Sequence, residues 1–530
     1  MEHLNTAAEK GIFSRRSVLA ASGLAVVSAA FLTACGPGGS ALPQASSGGS
    51  GALAKAGGTL RIARPPASQA ETLDPASSLS AYEYLGALYN RLVRLDEKGV
   101  VQPDLAESWE TSKDALTWTF HLRKGVQWHD GKPLTATDVV YTFAHMLDPE
   151  TKSPQAGVLS PFITAKSATA KDAQTVVVAL TSPNAEFASL MTGYNCYVIP
   201  AGSAATIGST GIGTGPFKLA SFTPAGPGKI VRNDGYFGDK PKLDTIEFSS
   251  IPDTQARVNA LLAGQIDLIS QTNLDYATSQ TVLASSIATV SNVKNAQWYT
   301  VPMLNTSPEF KDRNVRLALA HAYNPKDVMQ LAVHGNGTVA RNNPVPPTEA
   351  YYLDYGLDYD PDLSKSLLKK AGHDSLSLDI WTSTYDSVLT PLALAMKGSV
   401  AGSGFNLNVK TSAADSYYTD VWMKKPLMTS YWYTGRPIDQ LLNQIFRSGS
   451  SYNENAYANP AFDKILDQAR ATVDDAKRKT LYQDAQKFLI DDGGSLTPFF
   501  ADRLVGLSKK VAGYKEYGFE FDYINIGLAG

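Results

Sequence analysis

Two stretches of the sequence combine aromatic rings with ionisable groups, the residue types of a small-molecule binding site. The first runs from Trp381 to Asp386, and the second runs from Tyr431 to Asp439 and contains Trp432, Tyr433 and Arg436. An aromatic wall with one or two charges that orient a ligand is the usual composition of such a site. Both stretches follow runs that we predict to be strands, so we expect a pocket beyond the strand ends.

Each of these residues also has a structural alternative. Asp439 could cap the helix that starts at Gln440, and Arg436 could belong to an ion pair. Trp432 and Tyr433 are neighbours on a predicted strand and point to opposite faces, so we expect one of them in the core. Trp381 suits the core slightly better than a site.

The sequence contains none of the usual catalytic motifs. The G-x-S-x-G elbow, H-E-x-x-H, the P-loop pattern and G-x-G-x-x-G are all missing. The stretch from Gly211 to Pro216 is rich in glycine, but it leads into an extended segment, so we interpret it as a tight chain crossing. We place His129-Asp130 in a solvated turn, and seven scattered histidines do not suggest a metal site. We therefore predict a binding protein, not an enzyme, with no cofactor.

The elements around these residues predict an α/β fold. Leu116 to Arg123 alternates like a half-buried strand, and Thr135 with Asp138 forms a capping box that begins a helix. A βαβ unit follows in the second half, with strands at 376–380 and 405–409 around a helix at 389–400. Further patterns predict a strand over 428–433, a helix beginning at Asn459-Pro460, and a second helix ending at Gly493-Gly494.

The N-terminus has the pattern of an export signal. Arg15-Arg16 precedes an apolar run to Ala34, and Leu32-Thr33-Ala34-Cys35-Gly36 is similar to a bacterial lipobox. We predict a twin-arginine-like signal peptide over 1–34 and lipidation of Cys35, with a retained membrane anchor as the alternative. Residues 35–58 are rich in Gly, Ser, Ala and Pro, which predicts a flexible tether.

Composition limits the partners of the exported chain. The net charge is −3, which argues against a nucleic-acid partner. Of the two cysteines, lipidation of Cys35 would leave Cys196 without a disulfide partner, so we predict Cys196 to be a small buried residue.

A series of motifs resembles extracellular solute-binding protein family 5, the peptide/nickel-type receptors of ABC importers. The likeness is densest in the stretch from Ala106 to Val139, which contains WTFHLRKGVQWHDGKPLTATDV. It continues in order at Gly213–Leu219, Leu261–Asp267, Asn314–Tyr323, Asp360–Gly372 and Tyr457–Phe488. These pieces span nearly the whole chain beyond the tether.

The resemblance implies a two-lobed, type II periplasmic-binding-protein-like fold that closes about a hinge on its ligand. Lobe I with an extra subdomain would span 59–296, lobe II 297–494, and a C-terminal return to lobe I 495–530. The resemblance also implies delivery of a captured solute to ABC permease subunits, by a monomer tethered to the outer face of the cell membrane.

Dipeptide-binding relatives carry an acidic residue in the segment of Asp439 and an arginine in the segment of Asp386, where this chain has none. These departures weaken an ordinary dipeptide assignment, although Arg436 would suit an anionic group. Residues that border the cleft in relatives correspond to a further set, which we add as candidate contacts: Tyr82, Tyr84, Tyr194, Asn195, Met303 and Asn305.

Other functions fit the sequence less well. A sensor that passes its ligand to a signalling protein is the main alternative, and a lipid-anchored hydrolase or a receptor for chelated metal are weaker ones. The ligand classes that suit the predicted pocket are dipeptides, oligopeptides, opine-like conjugates and other small zwitterions.

Overall fold

The computed structural model describes residues 54–518 and 520–530. The strands are β1 (Ala54–Lys55), β2 (Thr59–Arg64), β3 (Val93–Leu95), β4 (Val101–Pro103), β5 (Ala106–Thr111), β6 (Thr117–Leu122), β7 (Ala168–Ala170), β8 (Thr175–Ala179), β9 (Phe217–Phe222), β10 (Gly228–Arg232), β11 (Thr245–Ser250), β12 (Leu268–Ile269), β13 (Ala288–Thr300), β14 (Gly337–Val339), β15 (Leu376–Ser383), β16 (Phe405–Ser412), β17 (Ser430–Tyr433), β18 (Phe499–Ser508), β19 (Val511–Ala512), β20 (Glu516–Tyr517), β21 (Glu520–Phe521) and β22 (Gly527–Ala529). The predicted signal peptide, Cys35 and most of the predicted tether lie outside the described residues.

The helices are α1 (Tyr82–Leu88), α2 (Ala136–Leu147), α3 (Ala156–Leu159), α4 (Phe187–Leu190), α5 (Ile207–Thr210), α6 (Thr254–Leu262), α7 (Tyr276–Leu283), α8 (Arg313–His321), α9 (Pro325–Val333), α10 (Pro361–Lys370), α11 (Leu389–Ser399), α12 (Ile438–Ile445), α13 (Pro460–Ala471) and α14 (Asp475–Asp491). A 3₁₀ turn at Pro149–Thr151 and a π turn at Tyr417–Val421 complete the set. The predicted α/β class is confirmed.

The largest sheet has nine strands and mixes parallel with antiparallel pairs. Its order is β17-β13-β18-β12-β2-β11-β10-β9, and β14 also pairs with β18. Strand β2 is parallel to both β11 and β12, whereas β13 and β18 run antiparallel. Strands from the beginning, the middle and the end of the described chain therefore lie in one sheet.

The long pair β13–β18 is interrupted by a bulge. The register shifts between Val293 and Gln297, and Asn295 has a φ of 49°. The buried carboxylate of Asp502 holds the bulge, because it accepts hydrogen bonds from the Lys294 ammonium at 2.7 Å and from the Asn295 main-chain amide at 3.1 Å. This carboxylate fixes the backbone where the pairing changes.

The predicted βαβ unit is present. Strands β15 and β16 are parallel, with Leu376 opposite Phe405, and α11 connects them. The next strand, β17, leaves this unit and pairs antiparallel with β13, so that Trp432 lies opposite Trp298. One parallel bridge from Trp381 to Met428 joins β15 to the chain just before β17.

The chain that contains the densest motif forms the antiparallel sheet β5-β6-β8-β7, with α2 beside it. The predicted capping box is confirmed: the Asp138 carboxylate accepts the Thr135 main-chain amide at 2.8 Å, and Thr135 caps α2 in return. The predicted N-cap Asn459 is confirmed too, since its side chain accepts the Ala461 amide at 3.1 Å.

The glycine-rich stretch is a tight crossing, as predicted. A Cβ on Gly213 would stand 1.8 Å from the Leu88 carbonyl oxygen, and one on Gly215 would stand 2.4 Å from that of Ala87. The turn predicted at His129-Asp130 is present and Asp130 is exposed, but the His129 ring is not solvated as predicted. The half-buried His129 ring accepts the Gly213 amide at Nδ1 and contacts the Gly215 carbonyl oxygen at 3.1 Å through Nε2, so it fastens the crossing.

Burial follows the predicted pattern elsewhere. Cys196 is buried among apolar side chains, which raises the pKa of its thiol to about 12. None of the helices within residues 54–518 and 520–530 has the length and apolar character needed to cross a membrane. Over the same residues, His, Cys, Asp and Glu side chains form no group of three or more suited to a metal ion.

Candidate functional site

Two cavities large enough for a small ligand lie beside β17 and the segment that follows it. The first has a volume of about 530 Å³ and is called the arginine cavity, because Arg436, Arg447 and Arg470 line it. The second has a volume of about 480 Å³ and is called the tyrosine cavity, because it is lined by Tyr82, Tyr385, Tyr433 and Tyr523. Both volumes suit a small ligand of a few residues' size.

Aromatic side chains mark where the two cavities approach each other. The rings of Tyr82, in the wall of the tyrosine cavity, and Tyr194, in the wall of the arginine cavity, have centroids 5.0 Å apart. Tyr433 lines the tyrosine cavity three residues before Arg436, which lines the arginine cavity. The cavities are therefore neighbouring compartments, and we call them together the cleft.

Strand β17 positions its two aromatic residues differently. Trp432 is 9% exposed, stacks on Trp298 at 6.1 Å, and donates its indole N–H to Glu454 at 2.9 Å. Tyr433, on the opposite face, is 47% exposed. The strand shows the alternation predicted from the sequence: Trp432 packs into the core and borders the arginine cavity, and Tyr433 faces the tyrosine cavity.

Arg436 lies directly after the turn that ends β17. Gly435 has a φ of 85°, a left-handed conformation that favours glycine. The Thr434 hydroxyl donates to the Asn295 carbonyl oxygen at 2.6 Å, which ties this turn to the β13 bulge. The Arg436 guanidinium donates to the Tyr433 carbonyl oxygen and lies 5.4 Å from the Trp432 ring centroid.

The charge of Arg436 has no acidic partner in the described part of the chain. No carboxylate of residues 54–518 or 520–530 comes within 4.0 Å of its guanidinium. Burial lowers the pKa of Arg436 to about 10, partly offset by the surrounding phenols, among them Tyr194 and Tyr452. It remains a cation at neutral pH.

Asp386 follows β15 and faces the tyrosine cavity. Its Oδ1 atom accepts the Tyr299 hydroxyl at 3.0 Å and the Val388 main-chain amide at 2.8 Å. Burial raises the pKa of this carboxyl, while these two donors oppose the shift. Within the described residues, no lysine, arginine or histidine nitrogen lies within 4.0 Å of it.

Asp439 is not the N-cap of α12, which was the structural alternative predicted for it. Helix α12 is capped at Pro437, so Asp439 lies in its first turn, and its side chain is fully buried. The carboxylate accepts two hydrogen bonds from Arg470, one from the Tyr482 hydroxyl and one from the Asn443 amide. Three of these hydrogen bonds fall on Oδ1 and one on Oδ2, so the carboxylate is paired inside the protein. Asp439 also borders the arginine cavity, and its contact with a ligand stays a prediction.

Of four other predicted contacts, only Asn195 borders either cavity. Tyr84 and Met303 are 0% exposed in hydrophobic cores, and the buried Asn195 amide donates to the carbonyl oxygens of Pro75 and Ser78. Asn195 borders the arginine cavity, but its side chain is engaged in holding the chain there. Asn305 is half-buried and lines neither cavity. Core packing and internal hydrogen bonds explain the placements of the first three.

Trp381 supports the site from outside the cleft. It packs on the core of the βαβ unit, and the Lys425 ammonium lies 4.2 Å from its ring centroid. It lines neither cavity.

Several cleft residues were missed in the sequence. Arg503 and Glu516 form an ion pair in the tyrosine cavity, and Gln271 donates to the Ser80 carbonyl oxygen there. Phe162 and Arg447 line the arginine cavity. These residues come from distant segments of the chain that carry no local motif. Gln271 has a left-handed backbone conformation, with a φ of 47°, but the sequence gives no sign of it.

A cleft of this kind beside a mixed sheet, with a parallel βαβ unit and an appended antiparallel sheet, defines a two-lobed α/β binding protein. The comparisons with known proteins agree. The model of the bacterial extracellular solute-binding proteins, family 5, matches residues 100–480. The chain belongs to this family.

Relatives named for different ligands match the chain to a similar extent. The dipeptide-binding protein of Escherichia coli is 29% identical over 476 residues, which is 81% of this chain and 86% of the relative. Heme-binding protein A of Haemophilus influenzae is also 29% identical, over 82% of this chain and 85% of its own. Among solved structures, DppA of Helicobacter pylori in complex with the peptide STSA matches with a TM-score of 0.72 and 25% identity, over 90% of this chain and 99% of that one.

Proposed function

We propose that the chain is the ligand-capturing component of an ABC importer and that it binds a small peptide or peptide-like solute in the cleft. The observation that carries the proposal is the cleft itself: exposed tyrosines between a cation and a carboxylate that have no partner of opposite charge in the described chain. Relatives whose names specify dipeptide and peptide binding support the ligand class.

The proposed lobes are those predicted from the sequence, 59–296 and 297–494, with 495–530 returning to the first. Their boundary at 296/297 coincides with the register shift in β13, which supports a hinge there. The Thr434 hydroxyl donates a hydrogen bond to the bulge in β13, and Arg436 follows two residues later. A ligand bound by Arg436 would therefore stabilise one arrangement of the hinge relative to the others. Closure of two lobes on a ligand is a known switching mode.

We also propose export and attachment to the outer face of the cell membrane through a lipid on Cys35. The lipobox-like sequence around Cys35 supports the attachment. In cells, a Cys35→Ala variant should move from the membrane fraction to the soluble extracytoplasmic fraction and lose label from a radioactive fatty acid. Unchanged fractionation and labelling would contradict the lipid anchor without affecting the binding proposal.

The binding proposal is tested on the purified chain without its first 35 residues. Native mass spectrometry should reveal a co-purifying solute, and calorimetry with an equimolar library of di- and tripeptides should show saturable binding. Peptides should be recovered intact after incubation, because the sequence offers no catalytic constellation. Tyr433→Ala should weaken binding more than tenfold, whereas Tyr359→Ala, an exposed tyrosine outside both cavities, should not. Absence of any bound peptide would overturn the ligand class.

A further inference from the structure

The cleft contains one cation and one anion that the described chain leaves without an opposite charge. Arg436 lines the arginine cavity, and Asp386 and Tyr433 line the tyrosine cavity. Both are half-buried, so water screens their charges less than at an open surface. A buried charge without a partner is costly, and its retention in a cavity wall indicates a charged ligand.

The other charged groups of the cleft have partners within the protein. In the arginine cavity, Arg447 pairs with Asp467 at 2.7 Å, and Arg470 pairs with Asp439. In the tyrosine cavity, Arg503 pairs with Glu516. These side chains have their charges balanced before a ligand arrives, so they do not set its polarity.

Two more ionisable groups of the tyrosine cavity are held by neutral partners. Arg257 donates to the carbonyl oxygens of Ile251 and Pro252, which occupy its guanidinium, and it is 3% exposed. Glu83 is 7% exposed and accepts the Gln271 amide. Asp386 is the more accessible acid, and both of its hydrogen bonds within the described chain fall on Oδ1.

The geometry of each group selects one ligand charge. The planar guanidinium of Arg436 matches a carboxylate through two parallel hydrogen bonds. The carboxylate of Asp386, with one oxygen occupied by Tyr299 and Val388, can accept an ammonium at the other. Between them, the face of Tyr433 offers an apolar surface for the body of the ligand.

We infer that the cleft binds a zwitterion in one fixed direction, with its carboxylate on Arg436 and its ammonium group on Asp386. This inference rests on the proposed function, since it specifies the ligand and its orientation in the same cleft. The carboxylate end then lies toward the arginine cavity and the ammonium end toward the tyrosine cavity. For a peptide, the chain direction is thereby set, with the C-terminus at Arg436.

The test uses three forms of one library of di- and tripeptides: free termini, C-terminal amide and N-terminal acetyl. Binding to the wild-type chain, Arg436→Gln and Asp386→Asn is measured by calorimetry. Asp386→Asn keeps an oxygen that can accept the Tyr299 and Val388 hydrogen bonds and removes only the charge. Arg436→Gln should weaken the free peptides more than tenfold but the amides less than threefold. Asp386→Asn should weaken the free peptides more than tenfold but the acetylated forms less than threefold.

Matched controls remove charges outside the cleft. Arg341→Gln deletes a guanidinium that contacts Asp354, and Asp312→Asn alters a carboxylate that accepts a main-chain amide two residues on, like Asp386. Both should bind the free peptides as the wild type does. Melting of the unliganded variants identifies any that fail to fold, and Arg436→Met and Asp386→Ser, which also remove the charge, replace such a variant.

The outcomes separate the inference from the proposed function. In one outcome the wild type binds free peptides, while Arg436→Gln spares only the acetylated forms and Asp386→Asn spares only the amides. The peptide then lies in the opposite direction, so the inference fails and the proposed function stands. If each variant loses the same affinity for the free and the blocked peptides, the inference fails and the proposed function again stands. If no free peptide binds to the wild type, both fail.

Discussion

The Arg470 guanidinium donates two hydrogen bonds to the Asp439 carboxylate, from Nε to Oδ1 at 2.7 Å and from Nη2 to Oδ2 at 3.0 Å. Asp439 lies in the first turn of α12 and Arg470 in the last turn of α13, so this pair joins two helices. The Ala185 main-chain amide also donates to the Arg470 carbonyl oxygen at 2.7 Å, and the guanidinium lies 4.7 Å from the Phe162 ring centroid. The pair thereby supports the contact between α13 and the segments that border the arginine cavity.

Asp439→Ala should lower the free energy of unfolding by about 3–5 kcal/mol, because Arg470 would keep a largely buried charge without its partner. Urea denaturation of the unliganded chain measures the loss. The double variant Asp439→Leu/Arg470→Met should recover much of it, since two apolar side chains would replace the ion pair. An Asp439→Ala chain that unfolds like the wild type but binds no ligand would instead show that Asp439 contacts the ligand.

Glu454 supports a second prediction, because its buried carboxylate accepts both the Trp422 indole N–H at 2.8 Å and the Trp432 indole N–H at 2.9 Å. In Glu454→Gln the amide nitrogen would face one of these donors. We expect a loss of about 1–3 kcal/mol in unfolding free energy, measured by urea denaturation. Trp422→Phe removes one of the two indole donors. The unfolding free energy that it loses should therefore be smaller in the Glu454→Gln background than in the wild type. Strictly additive losses would contradict the shared carboxylate.

His129 predicts a dependence of stability on pH. Burial lowers the pKa of its imidazole to about 4, against about 6.5 in an unfolded chain. Between these values the unfolded state binds more protons, so this histidine's contribution to stability is present above pH 6.5 and is lost as the pH falls toward 4. The stability lost should amount to about 3 kcal/mol, because the folded and unfolded pKa values of His129 differ by about 2.5.

Denaturant titrations of wild type and His129→Gln across pH 4 to 7 measure this contribution. The variant should be less stable at pH 7, because Gly213 and Gly215 lose their partner, and its stability should fall less steeply with acid. Parallel profiles for the two proteins would show that His129 titrates normally.

Gly213→Ala should destabilise the chain by more than about 4 kcal/mol or prevent folding, because its Cβ would overlap the Leu88 carbonyl group. Gly398→Ala is the matched control: it lies in the last turn of α11, with no atom within 4 Å of the added Cβ. That substitution should raise stability slightly, by at most about 1 kcal/mol. Comparable melting of both variants would contradict a close crossing at Gly213.

Local patterns were enough to predict the elements that carry the cleft. Alternation over 376–380 and 405–409 predicted β15 and β16, and the side chains of Thr135 and Asn459 predicted two helix starts, since each depends only on its neighbours in the chain. The partners of the site residues depend on distant segments. The 31 positions that separate Asp439 from Arg470, and the 112 that separate Tyr82 from Tyr194, contain no signal that brings them together.

The position of β18 in the nine-stranded sheet has a consequence for the order in which the protein assembles. It lies between β13 and β12, and β12 in turn pairs with β2. A ribosome completes residues 499–508 more than 190 residues after β13 and more than 430 after β2. Until then β13 lacks its partner along most of its length, and the β17–β13 pair is not joined to the strands from β12 to β9. The chain must therefore be almost fully synthesised before the cleft can form, and a prematurely ended product would expose open strand edges.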